Sequence, residues 1–320
     1  MENHTAVTEF ILMGLSSDPQ VQMFLFLVFL VIYLITLLGN MLIILVIWAD
    51  PHLHTPMYFF LSNLSFVDIC YSSVTVPEML VNFLAVQKTI SINSCLVCCL
   101  VQMFFFLASG TSMTEIFMLS AMAYDRYEAI CHPLTYIQNM SKEVCIQLAG
   151  GAWKIGFTVA LVNTLLILRV HFCQVNKINH FCCEIPTVLH IACSDTMVNE
   201  VVVLTSSVFV GLASSSVIIV SYGLIISSIL RIRSTEGRRK AFSTCGSHLT
   251  VVLFFYGTAF CKYLRPASGA SFEKLVTVQY SIVTPMLNPI IYSLKNKEVH
   301  TALRKVLGKG LCFPSTMVPK

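Results

Sequence analysis

Met122–Leu134 reads MAYDRYEAICHPL. A stretch rich in Phe, Leu and Met climbs to Tyr124, with Glu115 as its one charged residue, and then Asp125, Arg126 and Tyr127 arrive together. An acid beside a base at the end of such a run marks where an apolar helix meets water. The rest of the chain fits that reading. Of its 320 residues 56% are hydrophobic and 11% charged, against about 25% charged in a soluble domain. Met23–Trp48 and Val201–Leu230 contain no Asp, Glu, Lys or Arg. A helix needs roughly 20 apolar residues to cross a bilayer, so the chain reads as a membrane protein.

Working outward from Asp125, seven spans are expected near 23–48, 57–80, 97–125, 144–168, 199–230, 241–262 and 275–294. No repeat or Gly/Ser-rich linker divides them. The division is an extracellular segment 1–22, a seven-helix, all-α membrane domain 23–294, and a cytoplasmic tail 295–320. Residues 1–22 contain no Lys or Arg, so the Met23 run reads as an uncleaved anchor rather than a signal peptide. With the N-terminus outside, thirteen of the 20 Lys and Arg fall on the cytoplasmic side, six outside, and Lys154 within a span. That bias follows the positive-inside rule. Asn3-His4-Thr5 is a glycosylation sequon that such a topology would expose. Asn63-Leu64-Ser65 and Asn139-Met140-Ser141 fall in a span and on the cytoplasmic side and read as chance. The plan suits a receptor, though by itself it leaves a transporter or channel open.

Polar residues inside spans are costly and ask for a reason. Asp68 lies in the second span and Glu115 in the third; Asn40 follows Gly39 in the first; Asn288-Pro289 and Tyr292 close the seventh. Pro289 removes a helical hydrogen bond and frees a carbonyl for a nearby polar group. Taken in order, Asn40, Asp68, the Asp125-Arg126-Tyr127 triplet, Trp153, Tyr222 and NPIIY (288–292) resemble the rhodopsin-like G-protein-coupled receptors. PMYFFLSNLSFVD (56–68), MAYDRYEAICHPL, SY (221–222), KAFSTCGSHL (240–249), FYG (255–257) and PMLNPIIYSLKNKEV (285–299) narrow the resemblance to the class II olfactory receptors, over about residues 8–307.

The resemblance implies an odorant receptor. A small volatile ligand bound within the helices would activate a stimulatory G protein and raise cAMP from the plasma membrane. Asp125, Arg126, Tyr127, Tyr222, Lys240, His248, Asn288, Pro289 and Tyr292 would carry activation, with Arg126 held by its neighbouring acid until the sixth helix swings out. The ligand would meet Phe105, Ala108, Ser109, Ser112 and Met113 on the third helix and Ser206, Ser207 and Val210 on the fifth. It would meet Tyr256, Ala259, Phe260 and Tyr263 on the sixth and Val278 and Ser281 on the seventh. Ala108 stands where receptors for amines place an acid, and no Lys or Arg clearly points inward, so a neutral ligand is expected. Asp68, Glu115 and Asn288 would hold either a sodium ion or a shared proton; no other cofactor is implied. The family joins the top of the third helix to the long loop, pairing Cys99 with Cys183 (Cys98 and Cys182 being adjacent rivals), and Cys173–Cys193 would form a second bridge. The spacing from Cys99 to Arg126 is two residues longer than is usual there, which unsettles the upper third-helix positions.

Glu128 departs from the family, where Val is usual. It lies on the Asp125 face of the helix and would either compete for Arg126 or face water. Lys154 is expected to snorkel. Residues 295–309 space Val299, Ala302, Leu303, Val306 and Leu307 for an amphipathic helix on the inner leaflet, and Cys312 beyond it is a loose palmitoylation candidate. The sequence has no H-E-x-x-H, G-x-S-x-G or phosphate loop, so no enzyme is read. Its basic residues line a membrane surface for lipid headgroups and a G protein, not nucleic acid. The rival readings are a rhodopsin-like receptor for a non-odorant small molecule outside the nose, and a transporter or channel, for which the expected repeat symmetry is missing.

Overall fold

A computed structural model describes residues 9–12, 15, 18–85, 89–91, 111–167, 169–171, 177–178, 189, 191–264 and 270–310. Its helices follow the expected order: the first, Pro19–Ala49; the second, Pro56–Leu84; the third, described over Thr111–Cys131; the fourth, Lys142–Ile167; the fifth, Met197–Arg231; the sixth, Thr235–Leu264. The seventh is built from Ala270–Val278, a π segment Gln279–Val283, and Thr284–Lys295. A loop helix, Tyr136–Asn139, follows the third, and a tail helix, Lys297–Gly310, follows the seventh. The seven-helix fold class holds, with one addition. A small sheet has β1 (Glu9–Leu12) between antiparallel β2 (Thr89–Ser91) and parallel β3 (Lys177–Ile178). It puts the N-terminal segment, the second-to-third connection and the fourth-to-fifth connection on one side of the bundle.

Local chemistry sets the helix ends. Asp18 caps the first helix by accepting from the Gln20 N–H at 2.9 Å, with Pro19 behind it in the first turn. The third helix runs to Cys131 rather than ending at 125, so Asp125-Arg126-Tyr127 lies inside it. The sixth begins at Thr235 rather than 241. Charge statistics place the edge of the apolar run, but helices continue past it into water.

The bundle is apolar on both faces. Trp48 is 80% exposed and Phe209 73%, the surface lipid would cover, while Met57, Phe60, Leu61, Leu64, Met118, Leu119 and Met122 are buried in the core. Among the described residues, four helices are long and apolar enough to cross a membrane. Lipid is as apolar as the core, so specific side-chain ties and close packing must hold helix to helix. The first and seventh approach closely at Gly39, where an added Cβ would sit 3.0 Å from Cβ and Cγ of Pro289. One residue on, the Asn40 amide donates to the Pro285 carbonyl at 3.0 Å, the acceptor that Pro289 has no N–H to reach. Trp153 Nε1 donates to Asn63 Oδ1 at 3.2 Å, joining the fourth helix to the second.

The tail helix is not laid wholly on lipid as expected. Val299 and Ala302 are buried in the bundle core, while Arg304 and Lys305 are exposed. Asn296 caps it through the Glu298 N–H at 3.0 Å. The Tyr58 hydroxyl lies 2.6 Å from Glu298 Oε2, and Lys305 Nζ 3.7 Å from Asp50, so the second helix and the turn between the first and second helices both hold it.

Candidate functional site: a clasped arginine and a polar core

The Cys131 end of the third helix holds the first cluster. Asp125 is fully buried. Its Oδ2 accepts from Arg126 Nε at 3.0 Å and from an Arg126 terminal nitrogen at 2.7 Å. Its other oxygen accepts from the Tyr136 hydroxyl at 2.7 Å. Burial, and then the Asp125 carboxylate beside it, push the Tyr136 phenol above its usual range, so it remains a donor. Arg126 is therefore held by its own neighbour, and the acid that holds it also holds the loop helix between the third and fourth helices. Tyr127 stacks edge-on against His132, ring centres 5.2 Å apart.

Glu128 does neither thing expected of it. It is 4% exposed, so it does not face water, and its Oε2 accepts from Asn139 Nδ2 at 2.7 Å rather than reaching Arg126. Helical geometry explains this. Position 128 shares a face with 125, whereas the Arg126 side chain folds back onto Asp125. Asn139, read from sequence as part of a chance sequon, is its partner.

Above this cluster the Tyr222 hydroxyl and His248 Nδ1 are 2.7 Å apart, both residues buried, tying the fifth helix to the sixth. Lys240 lies on the sixth helix, its side chain outside the described residues. Tyr292 is fully buried, and among the described residues its hydroxyl has no partner.

At mid-bundle Asn288 Nδ2 donates to Asp68 Oδ2 at 2.9 Å, and Glu115 faces both groups. Pro289 supplies no polar contact here; it packs on Gly39. The oxygens Glu115 Oε1, Asn40 Oδ1, Ser72 Oγ and Thr114 Oγ1 are buried without partners among the described residues. Of these, Glu115 Oε1 belongs to the acid pair itself, and carboxylate oxygens are the ligand type a small hard cation takes.

The expected ligand positions are only partly within view. Phe105, Ala108 and Ser109 lie outside the described residues, as do the side chains of Ser112, Ala259, Phe260 and Tyr263. Met113, Ser206, Ser207 and Val278 are partly buried. Three of the hydroxyl-bearing residues expected to meet the ligand are already engaged. Ser206 donates to the Val203 carbonyl, Ser281 is fully buried and donates to Thr277, and Tyr256 donates to Ser214 Oγ at 2.8 Å. Val210, 3% exposed, lies one turn from Ser214. Tyr256 is thus a strut between the fifth and sixth helices, and Ser214, its anchor, was missed because a serine in a Ser-rich helix carries no sequence signal. An edge-on aromatic chain, Tyr71–Tyr280–Phe255–Tyr256, links the second, seventh and sixth helices at ring-centre separations of 5.5–5.8 Å.

Cys193 is disulfide-bonded. Its partner lies outside the described residues, as do Cys98, Cys99, Cys173, Cys182, Cys183, Asn3 and Cys312. Lys154 is exposed on the outward face of the fourth helix.

An arginine clasped at the foot of the third helix, a proline-broken seventh helix and a mid-bundle acid pair define a rhodopsin-like receptor. The fold matches that of squid rhodopsin with a TM-score of 0.67 at 16% identity, covering 95% of this chain and 94% of that one. A family profile described as olfactory receptor matches residues 29–309. The chain is 50% identical over 311 residues to olfactory receptor 5M5 of Mus musculus, covering 97% of this chain and 96% of that protein. It is also 50% identical over 313 residues to olfactory receptor 5M10 of Homo sapiens, covering 97% and 98%. The chain belongs to the olfactory receptor family. It is a multi-pass receptor of the plasma membrane, a signalling protein rather than an enzyme, whose class works between a small-molecule ligand and a G protein.

Proposed function

We propose that the chain is an odorant receptor for a neutral, mostly apolar volatile carrying one polar oxygen, and that it drives a stimulatory G protein and raises cAMP. The N-terminus lies outside and the tail in the cytoplasm. The observation that carries the reading is the pair of ties between the fifth and sixth helices, Tyr256–Ser214 and Tyr222–His248. A ligand seated among Ser206, Ser207, Val210 and Tyr256 competes for the upper tie. Agonism requires tighter binding to one arrangement of the bundle than to the other, and a hydroxyl that must exchange partners supplies that difference. The sixth helix then parts from the third, and Arg126 is freed toward the G protein. Leu134 and Ile137, 98% and 83% exposed beside the clasp, are apolar contacts for it.

Hydroxyls donate to a carbonyl or ether and accept from an alcohol, but do not neutralise an ion. Each buried methylene contributes about 0.8 kcal/mol and one net hydrogen bond about 0.5–1.5 kcal/mol, so chain length should govern potency as much as the polar group. In a cAMP-reporter screen of homologous alcohols, aldehydes, ketones and esters, potency should peak at one length and then fall. Tyr256→Phe should shift that response several-fold without abolishing it. Amines or carboxylates emerging as the best agonists would overturn the assignment.

Asp68, Glu115 and Asn288 we assign to a sodium ion that favours the resting bundle, in keeping with the unpartnered Glu115 Oε1 and the preference of a hard cation for oxygen ligands. Replacing potassium by sodium at constant ionic strength should lower agonist-free nucleotide exchange in membranes, and Asp68→Asn should remove that sensitivity. An equal response of parent and variant to sodium would leave the shared proton as the explanation.

A further inference from the structure

The third helix carries two buried acids one turn apart, and both hold the same short element. Asp125 accepts from Tyr136 at 2.7 Å and Glu128 accepts from Asn139 at 2.7 Å. Tyr136 and Asn139 are the first and last residues of the loop helix. That single turn is thus fixed at both ends, though a helix of four residues has almost no stability of its own. Asn139 is further placed by Thr135 Oγ1 at 3.4 Å, and His132 Nδ1 stands 3.6 Å from the same Glu128 oxygen. Leu134 and Ile137, on the free side of the loop, point away from the bundle.

The two ties differ in one respect. The Asp125 carboxylate is shared with Arg126, so any rearrangement that withdraws Arg126 leaves a buried, unneutralised carboxylate at the Tyr136 tie. The Glu128 carboxylate has no bond to Arg126. We infer that Glu128 is a positioning residue for coupling: through Asn139 it keeps the loop helix, and with it Leu134 and Ile137, docked on the third helix while Arg126 changes partners. The inference rests on the proposed G-protein coupling and names a residue within it. The residue is one a sequence comparison would discard as a departure from Val.

A reciprocal exchange tests it. Glu128→Val removes the acceptor, whereas Glu128→Gln keeps an oxygen for Asn139. Asn139→Asp sets two carboxylates against each other, and the double variant Glu128→Gln/Asn139→Asp restores a bond with donor and acceptor exchanged. The readouts are hydrogen–deuterium exchange over residues 134–140 and agonist-free nucleotide exchange on purified stimulatory G protein, with the receptor in lipid nanodiscs. Glu128→Val and Asn139→Asp should each speed amide exchange in the loop by about five-fold, the scale of one lost buried hydrogen bond. They should slow nucleotide exchange by a similar factor. Glu128→Gln should match the parent, and the double variant should recover both readouts. Loop exchange unchanged in Glu128→Val, or no recovery in the double variant, overturns the inference. A parent chain that drives no nucleotide exchange defeats the coupling reading instead, and the amide-exchange arm still decides the tether.

Discussion

Arg126→Ala should bring nucleotide exchange on the G protein to the receptor-free rate at any agonist concentration. The guanidinium is 13% exposed and spends two of its five donors on Asp125 Oδ2. Its remaining donors are what a G protein would meet under the proposed coupling, and a compact methyl has nothing to offer in their place. The variant carries a second defect. Asp125 is fully buried, and removing one partner of a buried pair costs about 3–5 kcal/mol because the other charge is left behind. Surface display should therefore fall as well, and the Tyr136 hydroxyl alone then holds the acid. Arg126→Lys separates the two effects. An ammonium satisfies the charge of Asp125 and should restore surface level, but it lacks the planar fork and should leave exchange well below the parent. Full signalling from Arg126→Ala at parental surface level would remove Arg126 from the coupling step.

Gly39→Val should be the most damaging single change away from the clasp. Even one added carbon at Gly39 would stand 3.0 Å from two ring carbons of Pro289, and valine adds two more. Pro289 is itself buried within the seventh helix and has no rotamer to yield, so the helices must separate. Overpacking of this kind costs about 1–3 kcal/mol. Separation also stretches the 3.0 Å bond from Asn40 to the Pro285 carbonyl, and an orphaned buried carbonyl costs about 1–3 kcal/mol more. Asn40→Leu isolates that second term. Thermal unfolding in detergent should put Gly39→Val lowest, Asn40→Leu between, and Gly39→Ala nearest the parent. A Gly39→Val protein as stable as Gly39→Ala would show that the contact gives way freely.

The class of the fold was legible from where charge is missing. Runs such as Met23–Trp48 leave only a membrane helix, because in lipid every backbone group must bond within its own segment. Span centres followed from the same rule. Their ends did not, since the Asp125 boundary records where polar side chains begin and the helix itself continues to Cys131. Asn40, Pro289 and the Asp68–Asn288 pair were likewise readable: a polar group or helix break in lipid demands a partner. The mid-bundle and the Gly39–Pro289 contact supply those partners.

The partners themselves were decided only by tertiary structure. Nothing in the spacing of Glu128 and Asn139 joins them, because the connection between them turns at His132–Thr135 before the loop helix forms, and either residue alone reads as solvated. Tyr256 looked like a free phenol until the fifth helix brought Ser214 within 2.8 Å of it. Val299 and Ala302 had the period of a helix lying on lipid, yet they pack into the core because Asn296, Tyr58 and Asp50 fix where the tail helix lies. Sequence periodicity says which face of an element is apolar. In a protein bathed in lipid, outside and inside are equally apolar, so only the directional bonds between helices determine which face is turned in.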